Sequence, residues 1–160
     1  MKTISNYITE KFKINSKNIK PQYNYHPKNL SELQKLCRDL IKERGGNANL
    51  NDIDTSNIKY MMRVFMCQPL GPDFDVSQWD VSNVESMSAM FKNCGQFNCD
   101  LSNWDVSNVK KMRSMFEGCE EFQGIGLDKW NVRDYCDTRW MFNGCTQIDN
   151  YPKWYKNETN

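Results

Sequence analysis

The stretch from Trp104 to Cys119 reads WDVSNVKKMRSMFEGC, and the stretch from Trp79 to Cys94 reads WDVSNVESMSAMFKNC, nearly the same letters 25 residues earlier. The copying extends in both directions. Downstream, WNVRDYCDTRWMFNGC from Trp130 to Cys145 fits the same template; upstream, IDTSNIKYMMRVFMC from Ile53 to Cys67 fits it with one residue missing before the Cys. Four copies therefore follow one another at offsets of 26, 25 and 26 residues. Self-similarity at such a period is the signature of stacked supersecondary units, each too small to bury its apolar side alone.

Read as columns, the copies align Ile53, Trp79, Trp104 and Trp130; then Thr55, Val81, Val106 and Val132; then Ile58, Val84, Val109 and Tyr135. Met61, Met87, Met112 and Thr138 follow, then Val64, Met90, Met115 and Met141, then Phe65, Phe91, Phe116 and Phe142, with Cys94, Cys119 and Cys145 closing the unit. In the third copy, Trp104, Val106 and Asn108 alternate with Asp105, Ser107 and Val109. That short period-2 segment predicts a strand, and the ladder is expected through 54–58, 80–84, 105–109 and 131–135. Met112, Met115, Phe116 and Cys119 fall at i, i+3, i+4 and i+7, which predicts a helix of about two turns, with Gly118 or Gly144 near its stop. The amide column Asn57, Asn83 and Asn108, continued by Asp134, predicts a ladder of side-chain amides each donating to the next.

These units closely resemble the BspA-type leucine-rich-repeat-like family, also catalogued as DUF285, which occurs in bacterial surface proteins, mycoplasma lipoproteins and phage or prophage genes. The resemblance covers about residues 50–148. It implies a short right-handed α/β solenoid of about four strand–helix coils of roughly 25 residues each, and a role in binding rather than catalysis. The last copy departs from the pattern at Asn131, Arg133, Asp134, Tyr135 and Thr138, and the first lacks its Trp, as terminal coils of an array do.

Outside the array, residues 1–49 form an N-terminal segment and residues 149–160 a tail. Ser31 and Gln34 stand in capping-box spacing ahead of an apolar face of Leu33, Leu36, Cys37, Leu40 and Ile41, ended by Gly45-Gly46. This predicts a helix that covers the first coil and seals its open edge. Residues 18–27 read as an extended loop or edge strand. Ile4, Tyr7, Ile8 and Phe12 mark a short amphipathic helix, either docked on the domain or detachable, and the MKT start is similar to leader peptides that direct internal proteins into phage heads. Trp154 and Tyr155 either cap the last coil or fray. Asn157 to Thr159 is a formal glycosylation sequon, without meaning unless the chain is secreted.

Net charge is +1, which gives no general pull toward nucleic acid or anionic lipid, and no apolar run approaches a bilayer span. The N-terminus has no secretory apolar region, so a cytoplasmic or virion-associated location is expected. None of the seven cysteines forms a C-x-x-C pair, and their repeat spacing reads as buried, reduced core thiols rather than metal ligands. Asp80, Asp100, Asp105 and Asp128 lack a calcium-loop pattern and read as turn acceptors. His26 has no nucleophile paired with it. No catalytic, cofactor or metal site is assigned. Variable positions between the columns remain for recognition, foremost Glu85, Lys110, Lys111, Arg113 and Glu117, with Ser86, Lys92, Glu120 and Glu121 beside them. The expected function is non-enzymatic protein recognition, with a packaged virion component or a surface adhesion protein as alternatives. The expected partner is an unknown protein rather than nucleic acid or membrane, and oligomeric state stays open.

Overall fold

The structure, a computed structural model, describes residues 22–156; the reading of the first 15 residues and of the sequon lies outside them. One α-helix, α1 (Leu30–Arg44), precedes the repeats. Its cap is Asn29, whose side chain accepts from the Glu32 N–H, while Glu32 Oε2 accepts from the Lys28 N–H. The capping box thus lies two residues before the expected Ser31. Leu33, Cys37, Leu40 and Ile41 form the buried stripe, and Gly45 (φ 85°) ends the helix with its N–H on Ile41 O.

The repeats do not form an α/β solenoid of strand–helix coils. Among the described residues α1 is the only α-helix, a 3₁₀ turn spans Leu127–Lys129, and no extended strand occurs. Each coil is instead a closed series of tight turns. In coil 3 (residues 101–126), i→i+3 hydrogen bonds close Leu101 to Trp104, Val106 to Val109, Met112 to Met115, Phe116 to Cys119, and Cys119 to Phe122. Every one of these corner residues is buried. Coil 1 (50–75), coil 2 (76–100) and coil 4 (127–148) repeat most of the corners.

The expected helix fails for a backbone reason. Ser114 (φ 56°) and Gly118 (φ 74°) are left-handed, as are Ala89 and Asn93, Arg63 and Cys67, and Trp140 and Gly144 in the other coils. A positive φ at the third residue of a turn fits type II geometry and interrupts α-helical continuation. The N–H groups of Met112, Ser114, Phe116 and Gly118 then leave the coil and donate to Asp137, Arg139, Met141 and Asn143 O at 2.8–3.0 Å. Coils 1 and 2 donate in the same register to coils 2 and 3. Successive four-residue turns bury the same i, i+3, i+4 set as a helix, so the apolar spacing alone did not separate them. Cys67 falls in the left-handed column with Asn93, and Gln68 takes the corner of Cys94; the first copy therefore lacks no residue.

The expected ladder is displaced as well. Parallel pairing occurs as single bridges at Tyr60–Ser86, Ser86–Lys111 and Lys111–Asp137, which keep the offsets of 26, 25 and 26. The segments read as strands are turns, with Val109 buried and Asn108 exposed. Asn83 Nδ2 donates to Ser56 O and Asn108 Nδ2 to Ser82 O, both at 2.8 Å, so the amides hold the preceding backbone rather than one another.

Side-chain columns supply the cohesion. Phe65, Phe91, Phe116 and Phe142 stack at centroid separations of 5.3, 5.6 and 5.8 Å. Trp79, Trp104 and Trp130 each donate an indole N–H to a carbonyl one coil back: Leu50, Val76 and Leu101. Trp154 extends that column, with its N–H on Leu127 O and its ring 6.1 Å from Trp130, so the tail caps coil 4. At the other end α1 shares the core, and Gln34 Nε2 reaches Met62 O at 2.9 Å. Burial of each large side chain contributes about 1.5–3 kcal/mol.

Candidate functional site

Up to three backbone positions per coil lie along one side of the molecule and differ from coil to coil. The left-handed position carries Arg63, Ala89, Ser114 and Trp140; the one before it carries Met62, Ser88 and Arg113; a third carries Met66, Lys92, Glu117 and Asn143. Together with Leu30 and Gln34 of α1 they line an open groove of about 930 Å³ that crosses all four coils. In coil 3 Met112, Met115 and Phe116 are turned into the core, and the intervening Arg113, Ser114 and Glu117 are left to line the groove.

The groove is uneven along its length. Leu30, Met62 and Met66 make an apolar end beside α1. In the middle Lys92 Nζ lies 2.8 Å from Glu117 Oε2. Burial pushes the Glu117 carboxyl up, but hydrogen bonds from Lys92 and Ser114 and the charges of Lys92 and Arg113 outweigh it and leave it below the usual range. At the far end the Arg113 guanidinium sits 4.1 Å from the centroid of the Trp140 ring, and Trp140 is 47 % exposed. Three cations, Arg63, Lys92 and Arg113, thus face one carboxylate. A bare face of this kind suits recognition of an apolar and acidic surface.

Of the residues expected to recognise a partner, Arg113 and Glu117 line the groove and Lys92 joins them. Glu85 and Lys110 do not; they pair with each other at 2.8 Å outside it. Lys111 sits exposed on the bridge row, and Ser86 is buried there. Trp140, Arg63, Met62 and Met66 were missed. The available signal was a column that changes completely, Arg, Ala, Ser and Trp, between columns that hold.

Other candidates resolve into structure. Asp54, Asp80, Asp100 and Asp105 accept the N–H of Ser56, Ser82, Ser102 and Ser107 at 2.8–3.1 Å, each closing an Asx turn. Among the described residues no group of His, Cys, Asp and Glu could hold a metal ion. His26 Nδ1 lies 3.2 Å from Asp54 Oδ2, and Asp54 also accepts from Ser56 Oγ. The carboxylate stands between Ser and His, whereas base catalysis needs the His beside the Ser. Cys94, Cys119 and Cys145 donate to Phe65, Phe91 and Phe116 O at 3.0–3.1 Å. Burial pushes the Cys94 and Cys145 thiols up to about 12 and raises Cys119 too, which suppresses the reactive thiolate. No helix among the described residues is long and apolar enough to cross a membrane.

Fold and groove together define a repeat protein in which one backbone is copied coil upon coil and a strip of side chains varies. The chain belongs to the DUF285 family: the family model described as "Mycoplasma protein of unknown function, DUF285" matches residues 28–154. That match takes in α1 and the tail through Trp154, and so extends beyond the repeats on both sides. Neither the curated proteins nor the solved structures yield a match.

Proposed function

We propose that this protein is a non-enzymatic recognition module that binds a partner protein along the groove, and that its repeats share the binding role of the BspA-type units they resemble, in a phage or prophage setting. The observation that carries the reading is the groove's outer end, where Trp140 is exposed under Arg113 while every other tryptophan is at least half-buried. Exposed Trp and Arg side by side are the side chains most enriched at binding hot spots. Among the described residues no nucleophile–base pair accompanies them.

The test is a displayed library of random 15-residue peptides panned against the full chain. Binders should be recovered, and their affinity should fall at least about tenfold, or roughly 1.4 kcal/mol, in Trp140→Ala and in Arg113→Glu. Lys110→Glu, outside the groove, should leave it unchanged. Binders indifferent to both groove variants would rule out the groove as the recognition surface.

A further inference from the structure

The end of the cross-coil hydrogen-bond ladder carries an inference that does not rest on the groove. Each of coils 1, 2 and 3 gives four N–H groups, from alternate residues, to four carbonyls of the next coil. In coil 3 they come from Met112, Ser114, Phe116 and Gly118. The equivalent donors of coil 4 are the N–H groups of Thr138, Trp140, Phe142 and Gly144, and no described residue accepts from any of them. The opposite end differs, because α1 lies there and Gln34 donates to the Met62 carbonyl. All four free N–H groups point the same way, so their dipoles add and the edge carries partial positive charge. The tail roofs the ring side, with Tyr151 and Tyr155 on Phe142. Trp140 and Gly144 remain exposed and Thr138 half-buried. Beside Thr138 an open pocket of about 380 Å³ lies between residues 134–139 and Lys156.

We propose that this edge docks a polypeptide segment of another protein that is folded like these coils and turns a row of alternate-residue carbonyls toward it. The argument is continuity with the interfaces inside the chain. Three times, this backbone row is met by four carbonyls of a coil in the same conformation, in one register. A second copy does not fit: its own acceptor row lies at the α1 end, and its free edge would set donors against donors. An ordinary extended strand alternates N–H and C=O along each edge and would satisfy only part of the row. A coil-like segment satisfies all of it, including the N–H of the buried Phe142, for which a backbone acceptor matters most.

The test is amide hydrogen exchange on the full chain with two probes. In the free chain, Thr138, Trp140 and Gly144 should exchange at least about a hundredfold faster than Met112, Ser114 and Gly118. A synthetic peptide copying residues 127–148 should slow the four coil-4 amides at least about tenfold at saturation, and a scrambled peptide should not. As a second probe, duplicating residues 123–148 directly after Ile148 removes the cost of bringing the coil to the edge. It should protect the same four amides. Protection in neither arm overturns the proposal. Protection in the duplicated chain alone also overturns it, since the edge would then accept only a covalently continuous coil. Amides already slow in the free chain would show the edge to be occupied and would overturn it as well.

Discussion

Gly126 and Gly144 are both left-handed, at φ 85° and 78°, yet alanine should behave very differently at the two. A Cβ on Gly144 would meet the Gly118 Cα and N at 3.5 Å, ordinary contact. A Cβ on Gly126 would meet the N, Cα and Cβ of Ser102 at 2.5 Å, where coil 4 begins to wind over coil 3. Those are mostly backbone atoms, so relief requires the coils to part. The left-handed penalty of about 1–2 kcal/mol applies to both variants. Gly126→Ala adds overpacking of about 1–3 kcal/mol. The stiffening of the unfolded chain by alanine is common to both and cancels in the difference. Gly126→Ala should therefore be less stable than Gly144→Ala by about 1–3 kcal/mol in urea denaturation followed by tryptophan fluorescence, with m unchanged. A difference within about 0.5 kcal/mol, no more than a neutral surface change gives, would refute the close coil approach at Ser102.

Phe116 is fully buried and stacked between Phe91 and Phe142, so Phe116→Ala should cost about 3–5 kcal/mol in the same assay. Its coupling to Phe91→Ala in a double-mutant cycle should be non-zero, since the rings share one column; strict additivity would count against the stack. Without denaturant, a thiol reagent should label the exposed Cys67 quickly and leave Cys94, Cys119 and Cys145 unlabelled, and rapid labelling of those three would contradict their burial. Asp54, Asp100, Asp105 and Asp137 are held below the usual carboxylate range chiefly by hydrogen bonds from Ser56, Ser102, Ser107 and Arg139. Their folded values are depressed, so the stability they add is present above the unfolded value of about 4 and is lost as pH falls through the folded values. The urea midpoint should hold from pH 7 to about 5 and drop below about 4; a midpoint unchanged down to pH 3 would refute this.

The repeat, its offsets and its core columns were all legible in the sequence, because stacking forces each coil to present the surface it receives. Local conformation was not. Met112, Met115, Phe116 and Cys119 suit a helix and a pair of type II turns equally, and the deciding residues are not the apolar ones. The column Cys67, Asn93, Gly118 and Gly144 holds Asn and Gly, which favour positive φ, and it was the readable hint. Gly118 suits a helix stop equally well, but here it holds the left-handed third position of the turn that Cys119 closes on Phe116. The companion column Arg63, Ala89, Ser114 and Trp140 gave no such hint, because turn closure and hydrogen bonds shared with neighbouring coils, not residue preference, hold its left-handed backbone. For the groove, Arg113 and Glu117 stood among the variable positions, but Glu85, Lys110 and Lys111 varied equally. Only the direction of the backbone separates those facing the groove from those beside it. The capping helix was legible from its apolar face, and its start was misplaced because Asn29 and Glu32 form the same spacing as Ser31 and Gln34.

The central claim is that the backbone of each coil hydrogen-bonds to the next coil rather than closing a helix on itself. Phe116 discriminates, since its N–H donates to Met141 O at 3.0 Å here and would donate to Met112 O in a helix. Scalar coupling across the hydrogen bond, measured by NMR on the isotope-labelled full chain, identifies the acceptor directly. A coupling from the Phe116 amide nitrogen to the Met141 carbonyl carbon is the predicted result; a coupling to the Met112 carbonyl carbon would contradict the account.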